Sequence, residues 1–177
     1  MGMIREATPE DALGAAVVNA YTWLTTYRGL VPDEMLAARI ARVPQQAEQI
    51  RGWLAGAGAG LVAEADHTVV GMCLFGPARS GAYPGSGEIT ALYVLDAFHG
   101  QGLGRALFEE AVRRLRAAGY AGMVIHCLCG NPTLGFYRHM GGRVDGRRED
   151  CFGGVTLRED VVFYPDLDAV VGEKQGN

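Results

Sequence analysis

The sequence predicts an α/β (α+β) protein with a mixed, mostly antiparallel central sheet and one βαβ crossover. Three observations predict it. The apolar period is helical from Pro9 to Leu54 and changes to strand-like runs from Leu61 onward. One amphipathic helical stretch, Gly102 to Ala118, stands between two strand-like runs, Glu88 to Leu95 and Met123 to Leu128, which is the order of a crossover connection. Two further runs, Val144 to Glu149 and Val155 to Phe163, read as a closing antiparallel pair.

Each element follows from local signals. Met3 to Ala7 reads as a short first strand, and Thr8-Pro9-Glu10-Asp11 then supplies a helix cap, a proline at the first helical position and an acidic residue at the third. A helix is expected from Pro9 to about Tyr27. Pro32-Asp33-Glu34 starts a second helix with Met35, Leu36 and Ile40 facing inward, and Pro44 to Leu54 forms a third that ends at the glycines of Gly56 to Gly60. Leu61 to Ala65 and Val69 to Phe75 flank Asp66-His67 as a hairpin, and the proline- and glycine-rich Gly76 to Gly87 reads as a long mobile loop. The crossover helix carries an apolar stripe of Leu103, Leu107, Ala111, Leu115 and Ala118. Met123 to Leu128 is continuous enough for a strand covered on both faces. Thr133 to Met140 is a short helix stopped by Gly141-Gly142. Residues 1–170 are expected to form a single domain, with 171–177 a flexible tail.

Bulk properties narrow the function. A chain of 177 residues can bury one full core without staples. Sixteen basic against 20 acidic residues leave a net charge of −4, which disfavours nucleic acid and fits a cationic small molecule better. The uncharged stretch Ala12 to Tyr27 is too short to span a membrane and is interrupted by Asn19 and threonines. Met1 to Glu10 lacks the basic region and apolar run of an export signal, so the cytoplasm is the expected compartment. Cys73, Cys127, Cys129 and Cys151 therefore read as buried or inert thiols. His126, Cys127, Cys129 and His139 lack the paired spacing of a zinc site, and no metal is expected.

The most informative segment is His99-Gly100-Gln101-Gly102-Leu103-Gly104-Arg105, at the junction of a strand and a helix. Glycines there let successive N–H groups converge beside the positive end of the helix dipole, so the turn is suited to a phosphate or pyrophosphate. A Walker loop is excluded because Arg105-Ala106 stands where Lys-Ser/Thr is needed. A dinucleotide fingerprint is excluded because Leu107 occupies its third glycine position.

Leu92-Tyr93-Val94 followed by His99-Gly100-Gln101-Gly102-Leu103-Gly104 resembles the acetyl-CoA motif of the GNAT N-acetyltransferase superfamily, whose pattern is Gln/Arg-x-x-Gly-x-Gly/Ala after a bulged strand. His99 departs from the usual Gln or Arg. Asn131 to Gly142 resembles the family's second segment, Asn-x-x-Ala-x-x-Phe-Tyr-x-x-x-Gly-Phe, with Gly135 and Gly142 as departures. Tyr27-Arg28-Gly29-Leu30-Val31-Pro32 is similar to a bacterial subset. The resemblance implies a splayed acetyl-CoA cleft in the sheet and transfer of an acetyl group from acetyl-CoA to an amine of a small molecule or peptide. It leaves room for a homodimer and implies no membrane or nucleic-acid partner. The alternative is a non-catalytic acyl-CoA-binding or sensing module.

The resemblance also assigns residues. Gly100, Gln101, Gly102, Leu103, Gly104 and Arg105, with His99, would cradle the CoA pyrophosphate. Leu92 and Tyr93 would line the pantetheine, Val94 would supply a backbone donor for the oxyanion, and Asn131 would hold the pantetheine arm. An alkyl amine with a pKa of roughly 10.4 is about 0.04% neutral at pH 7, close to 4.6 kcal/mol against attack, so a base is useful. Glu88, 11 positions before His99, matches a glutamate of the family and is the candidate base or amine-binding group. Tyr137 is the candidate acid for the departing thiolate. Tyr21, Trp23, Tyr27 and Tyr83 are candidates for the wall of the acceptor site.

Overall fold

The computed structural model describes residues 2–172. Its strands are β1 Met3–Glu6, β2 Ala59–Ala65, β3 Thr68–Pro77, β4 Gly87–Val94, β5 Met123–Leu128, β6 Arg143–Phe152 and β7 Val155–Tyr164. Its helices are α1 Ala12–Thr26, α2 Asp33–Ala41, α3 Val43–Ala55, α4 Leu103–Ala117, α5 Leu134–His139 and α6 Leu167–Gly172. The strand order is β1-β2-β3-β4-β5-β7-β6. β4 and β5 pair in parallel across the α4 crossover, whereas β1–β2, β2–β3, β5–β7 and β6–β7 are antiparallel. The mixed, mostly antiparallel sheet is as the sequence predicts. Of the expected tail, 173–177 lie outside the described residues, and Val171-Gly172 end α6 instead.

The chain divides into two compact units, one holding the described residues up to Gly76 with Ala91–Ala111, the other Pro77–Thr90 and the residues from Val112 on. In the first unit, α1 is almost devoid of side-chain bulk where it meets the sheet. Ala12, Ala15, Ala16 and Val18 are buried with Ala47 and Ile50 of α3 and Met72 and Leu74 of β3. A Cβ at Gly14 would stand 3.0 Å from Val69, so small residues are what allow this approach. Arg5 locks the entry to α1, forking onto Asp11 at 2.7 and 2.8 Å and onto Glu64 at 2.8 and 3.0 Å. The β2–β3 hairpin turns on Asp66 and His67, both at positive φ, as a right-twisted two-residue turn requires.

Expected and observed core positions differ in two places. On α2 only Leu36 is fully buried, with Met35 and Ile40 half-buried. On α4 the stripe Leu103, Leu107, Ala111 and Leu115 is buried together with Phe108 and Val112, but Ala118 is exposed. Gly119, at φ +95°, ends that helix one residue after Ala118. Its N–H donates to the Arg116 carbonyl and that of Tyr120 to the Leu115 carbonyl, the paired bonds of a Schellman cap.

The second unit is organised on β5, β7 and β6. β6 and β7 are each ten residues long, β6 four longer than the run Val144 to Glu149 predicts. The β6–β7 pair is held by charges set opposite each other in register, Arg147 with Asp160, Arg148 with Glu159 and Glu149 with Arg158. Tyr164 is fully buried and donates its hydroxyl to the Tyr137 carbonyl at 2.7 Å, tying β7 to α5.

Candidate functional site

The glycine turn has the conformation its composition calls for. Gly100 and Gly102 sit at φ +74° and +78°, where a side chain would be strained, and the Gly102 carbonyl accepts the first helical bond of α4 from Ala106 at 3.0 Å. The N–H groups of Leu103, Gly104 and Arg105 therefore occupy the first turn, where no intrahelical acceptor exists. A Cβ at Gly104 would meet only Val94 Cγ2, at 3.9 Å, so the space above the turn is open to a ligand. These features fit a pyrophosphate.

Side chains around the turn play parts that spacing alone does not show. His99 Nε2–H donates to the Val94 carbonyl at 2.7 Å, joining the end of β4 to the turn. Leu103 is buried, Arg105 pairs with Glu109 at 2.8 Å, and Gln101 is exposed. What these residues offer at the turn is thus mainly backbone. Leu92 and Tyr93 point to opposite faces of β4, as strand alternation demands. Tyr93 packs on the core of the first unit, where its hydroxyl accepts from Trp23 Nε1 at 3.0 Å.

Glu88, expected as a base or amine-binding group, is fully buried and accepts four hydrogen bonds. Its Oε2 accepts the Arg79 backbone N–H at 2.8 Å; Oε1 accepts Arg79 Nη2 at 2.7 Å, Arg79 Nε at 3.2 Å and His126 Nδ1 at 3.2 Å. Burial alone would raise its pKa, but the bonds from His126 and Arg79 outweigh it and bring the value down to about 2. Moving a proton from an ammonium of pKa roughly 10.4 to such a carboxylate would be uphill by about 11 kcal/mol. Drawing the free amine from neutral water costs only about 4.6 kcal/mol. The carboxylate is a fixed anion in this structure.

Neither partner of Glu88 stands out in the sequence. Arg79 lies in a segment that reads as a mobile loop. His126 leaves one trace, a polar residue inside an otherwise apolar strand. Because the carboxylate can only accept, Nδ1 carries the shared proton, and Nε2 makes no hydrogen bond among the described residues. Tyr137, on α5 in the same unit, is buried, with its ring 5.6 Å from Phe136. Asn131 shapes the start of that helix, its Oδ1 accepting the Thr133 N–H at 2.9 Å.

Of the four aromatic acceptor candidates, Trp23 and Tyr27 come together, buried, with ring centroids 4.4 Å apart. Tyr21 is on another face of α1 and is half exposed. Tyr83, in the second unit, packs 5.0 Å from Phe163 and donates to Asp145 at 2.9 Å. Among the described residues no group of three His, Cys, Asp or Glu side chains is placed to hold a metal, and no helix is long and apolar enough to cross a membrane. All four cysteines are free; burial pushes the Cys127 thiol up to about 12 and the fully buried Cys73 higher still.

A glycine turn feeding a helix start beside a mixed sheet is an architecture suited to a cosubstrate that carries a pyrophosphate. Residues 19–141 match the model of the acetyltransferase (GNAT) family. The uncharacterized N-acetyltransferase YuaI of Bacillus subtilis is 32% identical over 173 residues, covering 96% of each chain. The PaiA N-acetyltransferase of Thermoplasma acidophilum, solved with coenzyme A, superposes with a TM-score of 0.75 at 20% identity, over 93% of this chain and 98% of that one. The ribosomal-protein-S18-alanine N-acetyltransferase of Escherichia coli gives 0.68 at 13% identity, over 94% of each chain. The chain belongs to the GNAT acetyltransferase family. It is an acyltransferase whose cosubstrate is acetyl-CoA and whose acceptor is an amine.

Proposed function

We propose that the protein transfers acetyl directly from acetyl-CoA to the amine of a small molecule or peptide, in the cytoplasm, with a division of labour among Gly100–Arg105, Val94, Tyr137, His126 and Glu88. The observation that carries the reading is the turn itself: two glycines at positive φ before a 15-residue helix, with open space above Gly104. Its N–H groups would hold the pyrophosphate, and the Val94 N–H would donate to the carbonyl oxygen as negative charge grows there. Tyr137 would return a proton to the departing sulfur.

On the amine side, Glu88 acts as a positioning residue. Its saturated carboxylate fixes the His126 ring with Nδ1 inward, which leaves Nε2 as the nitrogen able to take a proton, the arrangement of any carboxylate–imidazole pair. The enzyme reading is tested by following thiol release from acetyl-CoA with a panel of amines. Release that depends on the amine supports transfer. Acetyl-CoA binding without release for any amine would make the chain a binding module.

A further inference from the structure

Arg39 differs from the arginines of this chain that serve as ion-pair partners of buried carboxylates. Arg5, Arg79, Arg147 and Arg148 each meet a partly or fully buried carboxylate at 2.7 to 2.9 Å. Arg39, half-buried on α2, meets none: among the described residues its one hydrogen bond runs from Nη1 to Asn19 Oδ1 at 2.7 Å. Its guanidinium carbon lies 3.5 Å from the centroid of the Trp23 ring. Burial pulls its pKa below the usual guanidinium range, with Tyr93 and Tyr27 working against that pull.

A cation kept from water without a counterion is unfavourable unless another group completes it. Stacking on an indole offsets part of the loss and fixes the plane of the guanidinium, but it leaves the remaining N–H groups unused. The support is rigid. Trp23 is anchored by Tyr93 at 3.0 Å and backed by Tyr27 at 4.4 Å, and Asn19 is itself buried. A planar guanidinium edge beside aromatic rings matches a carboxylate attached to an organic body.

We propose that Arg39, held by Asn19 over Trp23, recognises the carboxylate of the acceptor, so that the substrate class is an amine bearing a carboxylate, an amino acid or a close derivative. This rests on the N-acetyltransferase reading above. The cosubstrate's phosphates are the other source of an anion, and the glycine turn already offers N–H groups for them. The −4 net charge suggested a cationic acceptor; the Arg39 site instead selects for a zwitterionic or anionic one.

The test measures kcat/KM for the standard amino acids and for their carboxamides, in wild type, Arg39→Gln and Arg39→Lys, alongside calorimetric titration of the same compounds and of acetyl-CoA. Circular dichroism checks that the variants fold. The wild type is expected to prefer an acid over its amide at least tenfold. That ratio should fall to near one in Arg39→Gln and to an intermediate value in Arg39→Lys, with acetyl-CoA affinity unchanged. Equal use of acid and amide by the wild type overturns the proposal. So does a ratio untouched by Arg39→Gln, or a loss confined to acetyl-CoA binding, which would make the anion a phosphate of the cosubstrate. If no amine is turned over, the transferase reading fails, and calorimetry still decides whether Arg39 binds carboxylates.

Discussion

Replacing Glu88 with Gln removes one charge from a site where four N–H donors converge on a carboxylate, and the structure fixes how the loss should depend on pH. Glu88 falls from an ordinary value of 4.5 to about 2 in the folded chain. At about 1.36 kcal/mol for each tenfold change, that difference corresponds to about 3 kcal/mol of folding stability. The folded value is the lower one, so the contribution is complete above about pH 4.5 and is lost as pH falls toward about 2. For a chain of this size, about 3 kcal/mol corresponds to a fall in Tm of roughly 6–12 °C at pH 7. The variant should therefore melt well below wild type at pH 7, and the two should converge as the buffer is taken from pH 5 to pH 2.5. Urea midpoints at the same pH values check the result where melting is irreversible. A gap that stays constant between pH 7 and pH 3, or a variant as stable as wild type at neutral pH, would refute the fixed-anion assignment.

Three further outcomes test the division of labour. Gly104→Val should abolish acetyl-CoA binding by calorimetry while shifting the melting temperature by only a few degrees, because a Cβ there meets protein only at 3.9 Å; equal binding by variant and wild type would remove the turn from the site. His126→Gln should lower turnover by roughly 10² to 10⁴ with acetyl-CoA affinity retained, and an unchanged rate would return the amine proton to solvent. Tyr137→Phe keeps the buried ring and deletes the hydroxyl, so turnover should fall at least about tenfold; a loss of about 1 kcal/mol in stability with the rate intact would show a structural hydroxyl instead.

How much of this was legible in the sequence depended on the range of the signal. The β2–β3 hairpin, the crossover and the glycine turn rest on contiguous residues and came out within a few positions of their observed bounds. β7 did too, but the far end of β6, Asp150 to Phe152, did not. Val144 to Glu149 reads as strand, and pairing with β7 carries it on through Asp150 opposite Leu157, Cys151 opposite Thr156 and Phe152 opposite Val155, register that only the partner strand supplies. Gly142 departs from the family's phenylalanine for a reason also invisible along the chain: a Cβ there would lie 2.5 Å from Val162 and 2.7 Å from the Tyr164 ring, so nothing larger than hydrogen fits. On α1, Trp23 and Tyr27 are one turn apart and do share a site, whereas Tyr21, two residues before Trp23, falls on another face; helical geometry alone separates them.

Glu88 shows where motif spacing stops being informative. An offset of 11 residues from His99 fixes which backbone position on β4 the carboxylate occupies, because strand and turn have set lengths. It carries nothing about the protonation state, which depends on the donors that reach the carboxylate. Here the donors are Arg79, nine residues earlier in a glycine-rich segment, and His126, 38 residues later on the neighbouring strand. With hydrophobic neighbours in their place the same carboxylate would rise toward the range of a useful base. Two chains can therefore share the glutamate, the turn and the fold and still pass the amine proton through different atoms. The residues that decide between them lie outside the motif, which is why Glu88→Gln measured against pH and His126→Gln measured by rate are informative only as a pair: the first reports the ionisation that holds the imidazole, the second the proton that the imidazole receives.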